Sequence, residues 1–351
     1  MAGSTAVPDA DPGTEARLGF LMSRAAHGAD PASAQLVETH MSWVIVAGER
    51  VLKMKKPVRY PFLDFSTPAL RERNCREEIR LNRRFAPQIY LGLLALQWHD
   101  GRFALLPEDR LPAPGATVDW LVLMRRLPAE RMLDRVIAAG TLRPADVDAV
   151  VAVLAEFYRR AERSAIEADA YVGRFRREQA INRQILLHPR FAAVAAGDSL
   201  DRLDAANDVH AATLRRRVVQ GMVVDGHGDL RPEHVCLNHP PVVIDCLEFS
   251  AELRQVDPFD ELAFLGLECT VAGAPWVAQR LVDGVAAALG DRPPQALVHL
   301  YTANRAALRA RLAVAHLLDP QPRTPERWLP LGRRYLGQAV LALDALDRCS
   351  R

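Results

Sequence analysis

The sequence predicts an α+β protein with a small β-rich N-terminal part and a larger, mostly helical C-terminal part. Flanking one intervening helix, apolar residues between Trp43 and Leu127 fall in short strand-like runs; beyond Pro128 they recur at helical spacing over long segments. A third feature sits inside the helical part. Two short apolar runs, Met222 to Val224 and Val242 to Ile244, flank a polar loop containing His227, Asp229 and His234, and the second run ends on Asp245. This reads as a hairpin-like frame that directs two carboxylates to one place, and carboxylates fixed on strands suit a metal or a proton.

Composition bounds the function classes. With 351 residues, 49% hydrophobic and 25% charged, the chain is globular with room for two parts. Its 45 basic residues nearly match 43 acidic ones, so no nucleic-acid footprint stands out. No apolar run approaches the roughly 18 residues of a membrane span, and MAGSTAVPDADPGTEAR lacks the apolar core of a leader, so a cytoplasmic protein without membrane contact is expected. Five cysteines without CxxC spacing indicate neither a disulfide framework nor a zinc site. Lysine usage is more pointed: Lys53, Lys55 and Lys56 are the chain's only lysines, against forty-two arginines. A compact ammonium is kept in one window, as beside nucleotide phosphates, where a planar guanidinium does not fit.

Taken in order, residues 1–15 read as a mobile tail and Glu15 to Ala26 as a first helix. SWVIVAGERVLKMKK reads as a hairpin, Trp43 to Val46 and Val51 to Met54, whose alternation puts Lys53 and Lys55 on one face and Leu52 and Met54 on the other. A loop with Pro57 and Pro61 follows. Ser66 or Thr67 caps a helix that starts on Pro68 and runs to about Phe85, with Glu78, Leu81 and Phe85 on one face. Strands are expected at Tyr90 to Gln97, Arg102 to Leu106 and within Trp120 to Pro128. Helices then follow at Ala145 to Arg163, Tyr171 to Leu187, Ser199 to Val219, Pro258 to Cys269, Pro275 to Leu289, Gln295 to Leu318 and Pro325 to Leu346. On YTANRAALRARLA, Arg305 and Arg309 share a face and are candidates for an anionic substrate group, with a solvated face as the plainer reading.

HGDLRPEH, then VVIDCLEF, then DPFDELAFL resemble the catalytic segment of the aminoglycoside phosphotransferase and choline-kinase-like branch of the protein-kinase-like fold. ETHMSWV, VLKMKKPV, FLDFST and LNRRFAP extend the likeness to the kinase-like N-terminal half of bacterial two-part proteins that also carry a P-loop domain; no GxxxxGK[ST] occurs in this chain. The resemblance implies a bilobal α+β fold, with a tail over 1–15, an N-lobe over 16–127 and a C-lobe over 128–351. It implies Asp229 as catalytic base, Asp245 as magnesium ligand, and His227 and Asp260 as structural supports of the loop. Lys53 and Lys55 would face the nucleotide, and Glu78, or its neighbour Glu77, would pair with the strand lysine. Met124, Arg125 and Leu127 fall on the adenine-binding link, although plain core suits Met124 equally. Where the family has a metal-binding Asn this chain has His234, a ligand suited to softer metals, which puts a second metal in question.

The activity so implied is transfer of a phosphoryl group from ATP, with Mg2+, to a small-molecule hydroxyl; no protein partner is indicated. A nucleotide-binding module without turnover and a protein kinase are the alternatives. Asp225, Glu233 and Glu248 lie near the site in sequence with no role fixed.

Overall fold

The computed structural model describes residues 12–27, 34–60 and 63–349. Pro61 and the first eleven residues of the expected tail lie outside the described residues. The chain divides into two compact units, one holding the residues up to Pro128 together with Val243–Ser250, the other holding Ala129–Val242 and Ala251 onward. The eight-residue return to the first unit, which carries Asp245, was not expected from the sequence.

The first unit opens with α1 (Gly13–Leu21) and the short α2 (Arg24–His27). The single helix expected here is divided because the Ser23 hydroxyl donates to the Phe20 carbonyl at 2.6 Å, a local bond that competes with helix continuation. Then come β1 (Gln35–Glu38), β2 (Ser42–Ala47), β3 (Arg50–Lys55), β4 (Arg59–Tyr60), β5 (Leu63–Asp64), α3 (Pro68–Asn82), β6 (Tyr90–His99), β7 (Arg102–Pro107) and β8 (Ala116–Arg125). Among the described residues, six strands form one antiparallel sheet in the order β1-β2-β3-β8-β6-β7. The β2–β3 turn places Gly48 at φ +55°, a backbone that glycine adopts without a Cβ penalty.

Strand alternation sorts β3. Leu52 and Met54 join Ile45, Leu121 and Leu21 of α1 in a buried cluster, which leaves Lys53 and Lys55 for the opposite face, toward α3. Thr67 caps α3 by accepting from the Leu70 amide, and Pro68 starts the helix. Its buried side is unusual: Arg71, Cys75, Glu78 and Asn82 follow one another at helical spacing, so a polar stripe lies inward. Arg71 is balanced by Asp119 of β8, which also takes Arg17 at 2.9 Å.

The second unit contains α4 (Leu133–Ala138), α5 (Pro144–Arg160), α6 (Ala168–Leu186), α7 (Gly197–Val219), β9 (Val224–Asp225), β10 (Val235–Cys236), α8 (Ala251–Arg254), β12 (Gln255–Val256), α9 (Pro258–Ala272), α10 (Trp276–Leu289), α11 (Gln295–Ala315) and α12 (Pro325–Cys349), with β11 (Val242–Val243) where the chain leaves it. Its core gathers Leu200 of α7, Leu267 and Val271 of α9, Ala306, Ala310 and Val314 of α11, and Tyr335 and Leu336 of α12. The alanines let α11 and α12 approach closely, and at Gly332 an added Cβ would come within 2.6 Å of Val314. The hairpin expected between the runs at 222–224 and 242–244 does not form. β9 pairs instead with β12, Asp225 opposite Gln255 and Val224 opposite Val256, because pairing is decided by partners some thirty residues apart that the apolar runs do not encode. No helix of the described residues is long and apolar enough to cross a membrane.

Candidate active site

In the first unit the candidate residues form one charge network. Lys53 Nζ lies 2.7 Å from Asp245 Oδ1 and 2.8 Å from Glu78 Oε1, while Lys55 Nζ lies 2.7 Å from Glu78 Oε2 and also contacts Glu248. Glu78 therefore bridges both ammonium groups. Its contact with Lys53 is an ion pair outside hydrogen-bond alignment. The set is graded in depth: Glu78 and Lys55 are buried, Lys53 nearly so, and the Asp245 side chain is 44% exposed. Burial opposes charge on each lysine, but Asp245, Glu78 and Glu248 outweigh it at Lys53, and Glu248 and Glu78 at Lys55, so both titrate above their ordinary range. Burial likewise opposes charge on Glu78, yet the two lysines hold its carboxyl below its usual value. Lys55 also stands 4.9 Å over the Phe65 ring, whereas Lys56 turns away to Glu38 and the Trp43 ring.

The backbone at Asp245 is fixed in a conformation that a side-chain-bearing residue rarely adopts, φ +62°, at a cost on the order of 1 kcal/mol. Two neighbours impose it. The Asp245 amide donates to the Tyr90 hydroxyl at 3.1 Å, and the Cys246 amide donates to Asn82 Oδ1 at 2.8 Å. Asn82 is in turn tied to the Glu78 carbonyl. Neither Tyr90 nor Asn82 was singled out in the sequence, since each acts through contacts more than a hundred and fifty residues away. Glu248 is the counter-charge of Lys55.

In the second unit the loop after β9 is held by glycine geometry and one carboxylate. Gly228 has φ +88°, and at Gly226 an added Cβ would meet Val256 at 2.5 Å and Glu261 Oε2 at 2.8 Å. Glu261 Oε1 accepts the amides of His227 at 2.8 Å and Gly228 at 2.5 Å, and its Oε2 accepts the Tyr158 hydroxyl at 2.9 Å. The loop brace assigned to Asp260 is thus Glu261, one residue on. Asp260 is buried but engaged by Arg305 at 2.7 and 2.8 Å. The helix start is fixed separately by Asp257, which caps α9 and pairs with Arg217. His227 is fully buried, with Nδ1 accepting from the Asp229 amide at 3.3 Å. Asp229 Oδ2 lies 3.0 Å from Arg231, which also pairs with Glu233 at 2.6 Å.

The remaining candidates are placed elsewhere. Arg305 and Arg309 do not present a shared anion site: Arg305 is spent on Asp260, and Arg309 on Glu268 and Tyr335. Met124 and Arg125 end β8, Met124 opposite Val51 and Tyr90, Arg125 exposed with its amide on the Ile89 carbonyl; Leu127 follows, partly buried. Asp225 pairs with the buried Arg254 at 2.8 Å. Among the described residues no cluster of three or more His, Cys, Asp or Glu side chains is arranged to hold a metal. A half-exposed carboxylate such as Asp245 fits a hard cation that draws its other ligands from phosphate and water, as magnesium does.

No family model matches the chain. It is 32% identical over 315 residues to uncharacterized proteins of Mycobacterium tuberculosis and Mycobacterium bovis, which covers 87% of this chain and 60% of each of them. The chain thus spans about 60% of the length of the curated relatives it matches. Among solved structures it is similar to a choline/ethanolamine kinase family protein from Mesorhizobium loti, at 15% identity and TM-score 0.48 over 94% of this chain and 99% of that one. It is also similar to an aminoglycoside phosphotransferase from Streptomyces rimosus in complex with ADP and streptomycin, at 18% identity and TM-score 0.45 over 84% and 98%.

Glu261 gives a local test. Burial pushes its carboxyl up to about 7 from an ordinary 4.5, against the Gly228 amide, Tyr158 and Arg305. The folded form then binds more protons than the unfolded one between those values, so this group's contribution to stability falls as pH rises through the window. Glu261→Gln keeps an acceptor for the two amides and should flatten the dependence of melting temperature on pH between about 4.5 and 7. Glu261→Ala leaves three donors without acceptor and should cost on the order of 3 kcal/mol by denaturant unfolding.

Proposed function

We propose that this chain is a phosphotransferase that moves the γ-phosphoryl group of ATP to a hydroxyl of a small molecule. The observation that carries the reading is the buried Lys53–Glu78–Asp245 triad, built from the chain's one cluster of lysines and opening at a half-exposed carboxylate. An ammonium fixed by a buried glutamate is a preorganised partner for phosphate oxygens, and it costs no reorganisation when charge develops on them. Lys53 takes the α- and β-phosphates, Glu78 holds Lys53, and Asp245 holds the divalent ion. That ion, when bound, neutralises charge on the phosphates.

Asp229 orients the acceptor hydroxyl and takes its proton. The hydroxyl oxygen forms the new bond to the γ-phosphorus as the bond to the bridging oxygen breaks, and ADP leaves with that electron pair. A small acceptor is favoured because only eleven residues separate Asp245 from Asp257, four of them in α8, which leaves no long segment to bind a protein substrate. The test is ADP release with sugars, amino sugars and aminoglycosides as acceptors, with the ester identified by phosphorus NMR. A new ester dependent on ATP and magnesium supports the reading. Phosphate appearing only on added protein would replace it with a protein kinase.

A further inference from the structure

We infer that the chain performs this reaction with a single divalent cation, and that the Arg231 guanidinium takes the place of a second one at the catalytic loop. The inference rests on the phosphotransferase reading. The resemblance implies a second metal ligand at position 234, and the donor set there does not fit one. His234 is buried, with Nδ1 2.8 Å from the Asp229 carbonyl oxygen and Nε2 3.4 Å from Arg231 Nη2. A carbonyl only accepts, so Nδ1 carries the proton and donates; a guanidinium only donates, so the Nε2 lone pair receives it. Both ring nitrogens are committed, and the side on which a cation would approach is already cationic. The His227 ring, stacked at 5.8 Å, backs the imidazole on its face.

Arg231 has the position and the chemistry to act instead. It precedes Pro232, whose short helical turn ties the His234 amide to the Arg231 carbonyl at 2.9 Å, and its guanidinium bridges Asp229 at 3.0 Å and Glu233 at 2.6 Å. The hydroxyl that Asp229 deprotonates attacks the γ-phosphorus, so the equatorial oxygens of the transferring group pass within a side chain's reach of a cation 3.0 Å from that carboxylate. The Nη2 hydrogens are taken by Asp229 and His234 and one Nη1 hydrogen by Glu233, so the guanidinium offers those oxygens its charge and the remaining Nη1 hydrogen rather than a two-pronged fork. Two carboxylates hold it in place, so the charge is oriented before the transition state forms.

The experiment counts metal directly. Manganese is titrated by electron paramagnetic resonance into protein saturated with a non-hydrolysable ATP analogue, for wild type, Arg231→Gln and Asp245→Asn. One ion per chain is expected in wild type and Arg231→Gln, and none at this site in Asp245→Asn. Arg231→Gln should lower kcat about 10²-fold or more with nucleotide KM within a few-fold, and Arg231→Lys should recover part of the loss. Two manganese ions in wild type, or an Arg231→Gln variant with full kcat, would overturn this inference and leave the phosphotransferase reading standing. No nucleotide-dependent manganese in wild type would remove both.

Discussion

Asp229→Ala lowers kcat by about 10²- to 10⁴-fold while leaving nucleotide affinity within a few-fold. The asymmetry follows from where the residue sits. Asp229 belongs to the loop braced by Glu261, where it meets Arg231, the His227 ring and His234. The Lys53–Glu78–Asp245 network belongs to the first unit and does not include it. Removing the carboxylate therefore deletes the proposed proton acceptor and leaves in place the ammonium and the carboxylate proposed to hold phosphate and metal. Isothermal titration with a non-hydrolysable nucleotide, set beside steady-state rates, separates the two effects. A variant that turned over at the normal rate would take Asp229 out of this role.

Glu78→Gln should cost about 3 to 5 kcal/mol of stability, because it leaves two buried ammonium groups short of their shared counter-charge. Lys55→Met leaves Glu78 and Glu248 short in the complementary way, so the double variant should lose clearly less than the sum of the two single ones. The pH dependence has a definite sign. The Glu78 carboxyl titrates below its ordinary 4.5 in the folded chain, so its contribution is present in full above that value and is lost as pH falls through the folded value. Glu78→Gln should accordingly be more damaging at pH 7 than at about pH 3, which is opposite in sign to the effect at Glu261. Chemical denaturation at both pH values checks this, and equal losses would mean that Glu78 stabilises by packing alone.

The two-part α+β architecture was legible because each part has its own period. Alternation in VLKMK separates Leu52 and Met54 from the two lysines without any knowledge of the sheet, and helical spacing marks α5 to α7 and α9 to α12, though not the four-residue α8. The edge strand β1 was not legible, since all four of its residues are exposed and no burial alternation marks it. The choice between Asp260 and Glu261 was not legible either. From Pro258 to Cys269 every residue of α9 is buried, so no polar face distinguishes two adjacent acids, and only the amides of His227 and Gly228 show which one braces the loop. Tyr90, Asn82 and the Lys55–Glu248 pair were hidden for a related reason. They act on a segment that returns to the first unit from far along the chain. Arg305 and Arg309 show the converse: spacing put them on one face, but buried carboxylates on α9 had already claimed both.

The most direct test of the central claim is the melting temperature of the purified protein with ATP alone, magnesium alone and both, each repeated for Asp245→Asn and read as the ligand-induced shift within each protein. The expected result is a shift that needs both ligands, corresponding to about 3 kcal/mol at a hundredfold excess over the dissociation constant, and that disappears in Asp245→Asn. No shift in the wild type, or an equal shift in the variant, would contradict it.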